Sequence, residues 1–234
     1  MRLFVGLVVA VLFTAIFRTQ IRKAPQVFYV VALLLDVLLI AGSYLHLSPW
    51  FNEYFLFLFQ SNTLAMGFFT IVMFTGALSN TMPLKKGLLS LRTELSIIAS
   101  ILCMGHIVKY GNPYLNQMLG FSPVMPFVRL VATLIALMLV LLLIPLAVTS
   151  VKRVRAKMSV PSWNRLQKLA YIFYGLIFIH IMLFLIPSAM GGGLPATISV
   201  FVYLTLGLLY TVLRIRQYVV SRNVSTEQAT ESCP

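Results

Sequence analysis

The segment LAYIFYGLIFIHIMLFLIPSAMGGGLPATISVFVYLTLGLLYTVL (169–213) contains no Asp, Glu, Lys or Arg. An α-helix crosses the hydrocarbon core of a bilayer with about 20 apolar residues, so this segment is too long for one crossing. The Pro- and Gly-rich run PSAMGGGLP (187–195) in its middle is typical of a turn. The segment therefore predicts two membrane helices joined by a turn.

The composition of the whole chain also favours a membrane protein. Hydrophobic residues make up 60% of the 234 residues, charged residues make up 10%, and the mean hydropathy is +0.95. A soluble domain of this composition would expose contiguous apolar surface to water. The net charge of +13 is compatible with nucleic acid, but the cations lie in short clusters between apolar stretches, as topology determinants do. We therefore expect the lipid bilayer as a partner and no nucleic acid.

Seven apolar segments have lengths close to that of a bilayer crossing. They comprise 2–17, 27–45, 54–78, 93–111, 128–149, 169–189 and 196–213. The first segment has no Ala-x-Ala-like cleavage site, so we expect it to remain in the mature chain. The predicted fold class is all-α, a polytopic membrane helix bundle of seven transmembrane helices.

The basic residues predict the orientation of this bundle. Of the 18 Lys and Arg residues, 15 fall on one side of the predicted membrane, and Arg2, Lys109 and Arg129 fall on the other. Because cytoplasmic loops carry an excess of Lys and Arg, we expect the N-terminus outside and the C-terminus inside. The basic loops have an alternative interpretation as docking sites for an acidic donor protein or anionic lipid.

Ionisable residues within a membrane span are costly and indicate functional sites. The spans contain Asp36, His106 and His180, and His46 lies at the outer end of a span. We interpret Asp36 as a hydrogen-bonded or protonated carboxyl, with proton or quinone handling as the alternative. His46 is interpreted as a surface imidazole.

His106 and His180 are predicted to reach similar depths on two parallel helices. His106 lies 14 residues after Arg92, and His180 lies 12 residues after Lys168, which places them about 21 Å and about 18 Å from the basic side. Two neutral imidazoles are suitable axial ligands for one haem iron. The alternative is that each histidine serves as an interhelical hydrogen-bond partner.

Other residues near the two histidines fit a haem. Gly105 and Gly175 would let a flat macrocycle approach the backbone. Lys109 and Arg129 are near the predicted outer face, where they are candidates to pair with haem propionates or with an anionic acceptor. An equally weighted alternative is that Arg129 is an anchor whose side chain snorkels to the membrane surface.

Two stretches resemble the ferric-reductase-like transmembrane domain: GALSNTMPLKKGLLSLRTELSIIASILCMGHIVKY (76–110) and PLAVTSVKRVRAKMSVPSWNRLQKLAYIFYGLIFIHIML (145–183). The likeness is closest to the haem-binding membrane subunit of the bacterial periplasmic methionine sulfoxide reductase system, and it covers about 54–213. The resemblance implies that His106 and His180 hold one b-type haem on the outer side of a bacterial cytoplasmic membrane.

The resemblance also implies a division of the chain. Residues 27–216 would form a six-helix haem-binding core. Residues 1–26 would be an additional N-terminal helix with its basic loop. Residues 217–234 are polar and are predicted to be a disordered cytoplasmic tail.

One departure from the family pattern concerns a second haem. The family typically has a further histidine at the position of Gln167, and glutamine is a poor haem ligand. At the corresponding level of the fourth span lie Arg92 and Thr93. We therefore expect no inner haem held by two histidines.

The expected function is electron transfer. No Gly-rich phosphate loop occurs in the chain, so we expect no flavin or nicotinamide domain and instead a membrane quinol or a separate flavoprotein as donor. The expected acceptor is extracytoplasmic, either ferric iron or a partner reductase such as a methionine sulfoxide reductase. The alternative is a non-redox polytopic membrane protein, a small transporter or an assembly factor, whose histidines are packing residues.

Overall fold

The computed structural model describes residues 2–42, 50–51, 57–79, 81–120 and 125–231. Almost all of these residues are helical, and no strand occurs among them. The helices are α1 (Arg2–Lys23), α2 (Pro25–Ala41), α3 (Phe57–Gln60), α4 (Thr63–Ala77), α5 (Pro83–Leu89), α6 (Arg92–Met118), α7 (Phe127–Ser150), α8 (Lys152–Arg155), α9 (Val160–Gln167), α10 (Leu169–Met190) and α11 (Leu194–Glu231). The predicted all-α class is confirmed.

Each of the seven predicted spans coincides with one of the longer helices, α1, α2, α4, α6, α7, α10 or α11. Five helical stretches in the described part of the chain are long and apolar enough to cross a membrane: Leu3–Lys23, Arg92–Met118, Phe127–Ser150, Val160–Met190 and Leu194–Val220. The helices α2 and α4 are apolar but have 17 and 15 residues, below the about 20 of a full crossing. Seven crossings and the orientation of the termini therefore stay predictions.

The outward faces of the long helices are apolar, as a surface in contact with lipid requires. Leu34 in α2 is 61% exposed, Phe201 in α11 is 65% exposed, and Leu208 in the same helix is 67% exposed. Several hydroxyl groups inside the bundle are satisfied within their own helices. The hydroxyl of Thr75 donates to the carbonyl of Ile71 at 2.7 Å, which is how a side chain meets its hydrogen-bonding need without water.

Small residues bring α1 and α4 into close parallel contact. A Cβ atom on Gly6 would lie 2.8 Å from the backbone of Thr63, and one on Gly67 would lie 2.8 Å from the Cβ of Ala10. Gly6 and Ala10 are four residues apart, as are Thr63 and Gly67, so the small residues share one face of each helix. This spacing lets two membrane helices approach with their backbones in contact.

The ends of the helices meet in two groups. Lys152 pairs with Glu94 at 2.8 Å, and the Gln167 amide donates to the Thr149 hydroxyl at 3.4 Å. The start of α6, the end of α7 and the junction of α9 with α10 therefore lie together, at what we call the basic end. The opposite end contains the C-terminal halves of α6 and α10, which carry His106 and His180. We call it the histidine end.

Along α11 the helix continues to Glu231 and includes most of the segment 217–234, for which the sequence predicts disorder. No Gly or Pro occurs between Thr211 and Glu231, so no helix-breaking residue ends α11 earlier. The division of the chain at 26 and 216 stays a prediction.

Replacing Gly67 by Ala tests the close contact between α1 and α4. The added methyl group would overlap Ala10 and the carbonyl oxygen of Gly6, and we expect a loss of about 1–3 kcal/mol in the free energy of unfolding. Thermal unfolding in detergent measures the change. Gly76→Ala in the same helix is the matched control, since no atom lies within 4 Å of that position. An unchanged midpoint for Gly67→Ala would contradict the packing.

Candidate functional site

His106 is oriented by a break in the chain between α3 and α4. Asn62, at this break, adopts a left-handed conformation with φ 54°. The interruption leaves the carbonyl of Gln60, the last residue of α3, turned toward α6. The Nδ1 atom of His106 lies 3.0 Å from this carbonyl oxygen, so the break supplies the hydrogen-bond partner of the imidazole.

His180 is oriented in the same way by α7. Its Nδ1 atom lies 3.1 Å from the carbonyl oxygen of Ala132, a residue with no exposed surface. Because α10 and α7 are antiparallel, this contact places His180 close to the first turns of α7, at the histidine end.

These two contacts determine the tautomer of each ring. A carbonyl oxygen can only accept a hydrogen bond, so Nδ1 carries the proton in both His106 and His180. Each Nε2 atom then keeps a lone pair and is available as a ligand. A metal-binding histidine is typically held in this manner, with its second ring nitrogen donating to a carbonyl or carboxylate.

The structure places both histidines at the histidine end of the bundle, His106 on α6 and His180 on α10. The rings of Tyr114 and Phe184 connect the same two helices beyond the histidines, with centroids 6.2 Å apart. Phe184 also contacts the ring of His180 at 5.3 Å. Aromatic side chains therefore cover the histidine pair on one side.

The ring nitrogens that His106 and His180 leave free are two donors from separate helices. No group of three or more His, Cys, Asp or Glu side chains that could hold a metal occurs among the described residues. A bare zinc ion takes three or four protein ligands. Haem supplies four nitrogen donors of its own, so two imidazoles complete its coordination.

Lys109 and Arg129 occupy different surroundings. The ammonium group of Lys109 donates to the carbonyl of Leu39 at 3.3 Å and lies 5.8 Å from the ring centre of Tyr110. A cation at the last turn of α2 is stabilised by the helix dipole. Arg129 is exposed in the first turn of α7, three residues before the carbonyl that holds His180. Arg129 is thus the freer of the two to meet an anionic group.

Gly105 has a different role from the one that the sequence indicated. Its N–H donates to a carboxylate oxygen of Asp36 at 3.1 Å, and a Cβ atom there would lie 2.3 Å from the other oxygen. The helix α2 therefore occupies the space at Gly105 that we assigned to a flat ring. By contrast, no atom lies within 4 Å of a Cβ built on Gly175. Asp36 acts as a hydrogen-bond acceptor between α2 and α6, directly beside His106.

Two backbone carbonyls of the site were not predicted from the sequence. For Gln60, the polar run FQSNTL (59–64) inside an apolar segment was a usable signal of a helix break. For Ala132 no signal exists, because the partner is a main-chain atom of an ordinary helix. His46 lies outside the described residues.

At the basic end, Gln167 and Thr93 line a cavity of about 240 Å³ together with Arg92. The amide of Gln167 is hydrogen-bonded to Thr149. No imidazole lines this cavity, and its cationic and hydroxyl groups do not form a haem-ligating pair. The number of haems per chain stays a prediction.

Comparison with known proteins yields a bacterial relative. An uncharacterized protein of Treponema pallidum (strain Nichols) is 39% identical over 157 residues, which cover 67% of this chain and 43% of that protein. The chain therefore matches less than half the length of this relative. No family model matches the chain, and no solved structure matches it.

Replacing Asp36 separates its hydrogen-bonding role from a role in proton or quinone handling. We expect Asp36→Asn to keep the thermal stability, because the amide oxygen still accepts from Gly105. Asp36→Leu removes the acceptor and adds bulk to a tight contact, so we expect the free energy of unfolding to fall by about 1–3 kcal/mol. Thermal unfolding in detergent compares the two variants. If both variants lost the same free energy of unfolding, the ionisable carboxyl itself would be required for stability.

Proposed function

We propose that this protein is a membrane b-type cytochrome. It passes electrons from a membrane quinol or a separate flavoprotein through one haem, held by His106 and His180, to an extracytoplasmic acceptor. The observation that carries the proposal is that the two imidazoles have equivalent hydrogen bonds and the same tautomer. Each donates Nδ1–H to a main-chain carbonyl, each keeps its Nε2 lone pair, and the rings of Tyr114 and Phe184 link their two helices.

The residues present fit a haem. The imidazoles of His106 and His180 would hold the haem iron, and apolar and aromatic neighbours suit a macrocycle. When bound, the haem would supply one-electron transfer. The chain itself contributes ring orientation through Gln60 and Ala132, and water exclusion through Tyr114 and Phe184. Arg129, exposed near His180, is the preferred partner for a propionate, since the Lys109 ammonium is already bonded to Leu39.

The choice of donor follows from the distance to the basic end. Gln167 lies 13 residues before His180, which is about 20 Å along a helix. With no second bis-histidine haem to divide this distance, a lipid-soluble quinol is favoured because it can approach the site within the bilayer. A flavoprotein at the basic end is the alternative donor.

Ferric iron and a partner reductase, such as a methionine sulfoxide reductase, are the proposed acceptors. Both fit a site near the outer face of a multi-pass protein. The bacterial relative and the apolar helices support a location in a bacterial cytoplasmic membrane, with the histidine end outside.

Spectroscopy of purified protein tests the haem. Protein produced with ample haem should give a dithionite-reduced minus oxidised spectrum typical of b-type haem. His106→Ala and His180→Ala should each abolish it, because one imidazole no longer completes the coordination. His46→Ala is the control and should retain the pigment, and size-exclusion profiles check that each variant is folded. A folded wild-type protein without haem would instead support the non-redox alternative, a small transporter or assembly factor with packing histidines.

The number of haems per chain tests the role of Gln167. We expect about one haem per wild-type chain, and the same ratio in Gln167→Ala, because the amide of Gln167 bonds Thr149 and is no ligand. Pyridine haemochrome absorbance divided by protein concentration measures the ratio. A wild-type ratio near two that falls to one in Gln167→Ala would show that a second haem uses this residue.

A further inference from the structure

A second cavity at the basic end is lined by three cations. It has a volume of about 280 Å³ and lies where α4, α5, α6, α10 and α11 meet. Its polar lining consists of Lys85, Arg92, Arg214, Gln167 and Tyr171, and no Asp or Glu lines it. We call this space the cationic cavity. One water needs about 15 Å³ by the same measure, so the cavity can accept a polar group far larger than water.

Two of the three cations are held in place by main-chain carbonyls. Arg214 donates to the carbonyl of Gly76 at 2.9 Å, and its guanidinium lies 4.8 Å from the ring centre of Tyr171. The Lys85 ammonium donates to the carbonyl of Leu78 at 2.7 Å, and Lys85 is 9% exposed. These contacts fix the positions of the positive charges before any ligand arrives, which lowers the entropy cost of binding.

No Asp or Glu is among the residues that line the cationic cavity. Arg92 is half-buried, and its guanidinium makes no hydrogen bond or ion pair with a described residue. Nearby Glu94 is paired with Lys152 instead. Burial, together with the charge of Arg214, lowers the pKa of Lys85. An anion in the cavity would therefore relieve repulsion between cations that already lie close together.

Donors from two different helices line the cavity. Arg92 begins α6 and Arg214 lies on α11. An anionic oxygen in the cavity would accept hydrogen bonds from both guanidinium groups.

We propose that the cationic cavity binds the phosphate group of an anionic ligand, and that the ligand is a phospholipid whose headgroup lies at the basic end of the bundle. Phosphate oxygens match the fork of donors that arginine presents. Basic pockets between membrane helices on the cytoplasmic side bind anionic headgroups. The apolar residues of the lining, Val72, Met73 and Leu89, suit the glycerol and acyl part of a lipid.

This proposal does not depend on haem binding. Arg92 lies 14 residues from His106 along α6, about 21 Å, so changes in the cavity should leave the haem spectrum unchanged. Failure of one proposal therefore leaves the other intact.

Thermal unfolding of the full-length protein in detergent tests the binding. The probes are dioleoyl phosphatidylglycerol, dioleoyl phosphatidylcholine and inorganic phosphate, each at the same ionic strength. We expect phosphatidylglycerol, but not phosphatidylcholine, to raise the midpoint by about 5 °C or more at a hundredfold excess over its Kd. A response to inorganic phosphate alone would support the phosphate chemistry and identify the source as a free phosphate. No response to either anion would overturn the proposal.

Paired variants test whether the cavity is the site. Arg92→Gln and Lys85→Gln should each weaken phosphatidylglycerol binding about fivefold. Arg216→Gln and Lys86→Gln are the matched controls, because both side chains are exposed at the same end and neither lines the cavity. Equal losses in the controls would show attraction by surface charge alone and would overturn the assignment.

Discussion

An imidazole N–H inside a membrane needs an acceptor, and the candidate site depends on how two histidines obtain one. In hydrocarbon no water can serve, and an unsatisfied polar group costs several kcal/mol. Here both acceptors are main-chain carbonyls, of Gln60 and Ala132. One hydrogen bond per ring sets the tautomer, the orientation and the availability of Nε2. The proposed binding of haem at the histidine end depends on that constraint.

The same constraint explains the break between α3 and α4. A continuous helix would engage the carbonyl of Gln60 in its own hydrogen-bond ladder. The left-handed Asn62 ends that ladder, and the carbonyl becomes available to α6. The side-chain amide of Asn62 lies 3.4 Å from the sulfur of Cys103, so the break also contacts α6 one turn before His106. A local irregularity of the backbone is thus satisfied by a neighbouring helix, as irregular backbone at membrane depth must be.

Charge is distributed along the bundle according to the same physics. Most cations lie at the basic end, while the described acidic groups inside the bundle, Asp36 and Glu94, each have a specific partner. Such pairing is what permits a carboxylate to remain away from water. The cationic cavity is the exception, because three basic residues converge there without a lining carboxylate. A binding site for an anion accounts for this exception in the same physical terms as the rest of the fold.

The sequence predicted several particulars correctly. The hydropathy pattern and the Pro- and Gly-rich turn predicted the position of every long helix, since a span needs about 20 apolar residues regardless of its neighbours. The similar depths of His106 and His180, which follow from their spacing to Arg92 and Lys168 and the constant helical rise, stay a prediction. The sequence analysis wrongly assigned the space at Gly105 to a flat ring, whereas Gly105 contacts Asp36 between α2 and α6. It also could not anticipate that the ammonium of Lys109 caps the end of α2.

The sequence by itself determined the all-helical class, the apolar segments and the heights of the ionisable residues, because these depend on composition and on distance along one helix. Only the tertiary structure decided which atoms meet between helices. The carbonyls of Gln60 and Ala132 reach the two histidines, and the three cations line one cavity, through packing angles and a helix break. The hydrogen bond between Arg214 and Gly76, for example, joins residues 138 positions apart, and no periodicity of the chain encodes it.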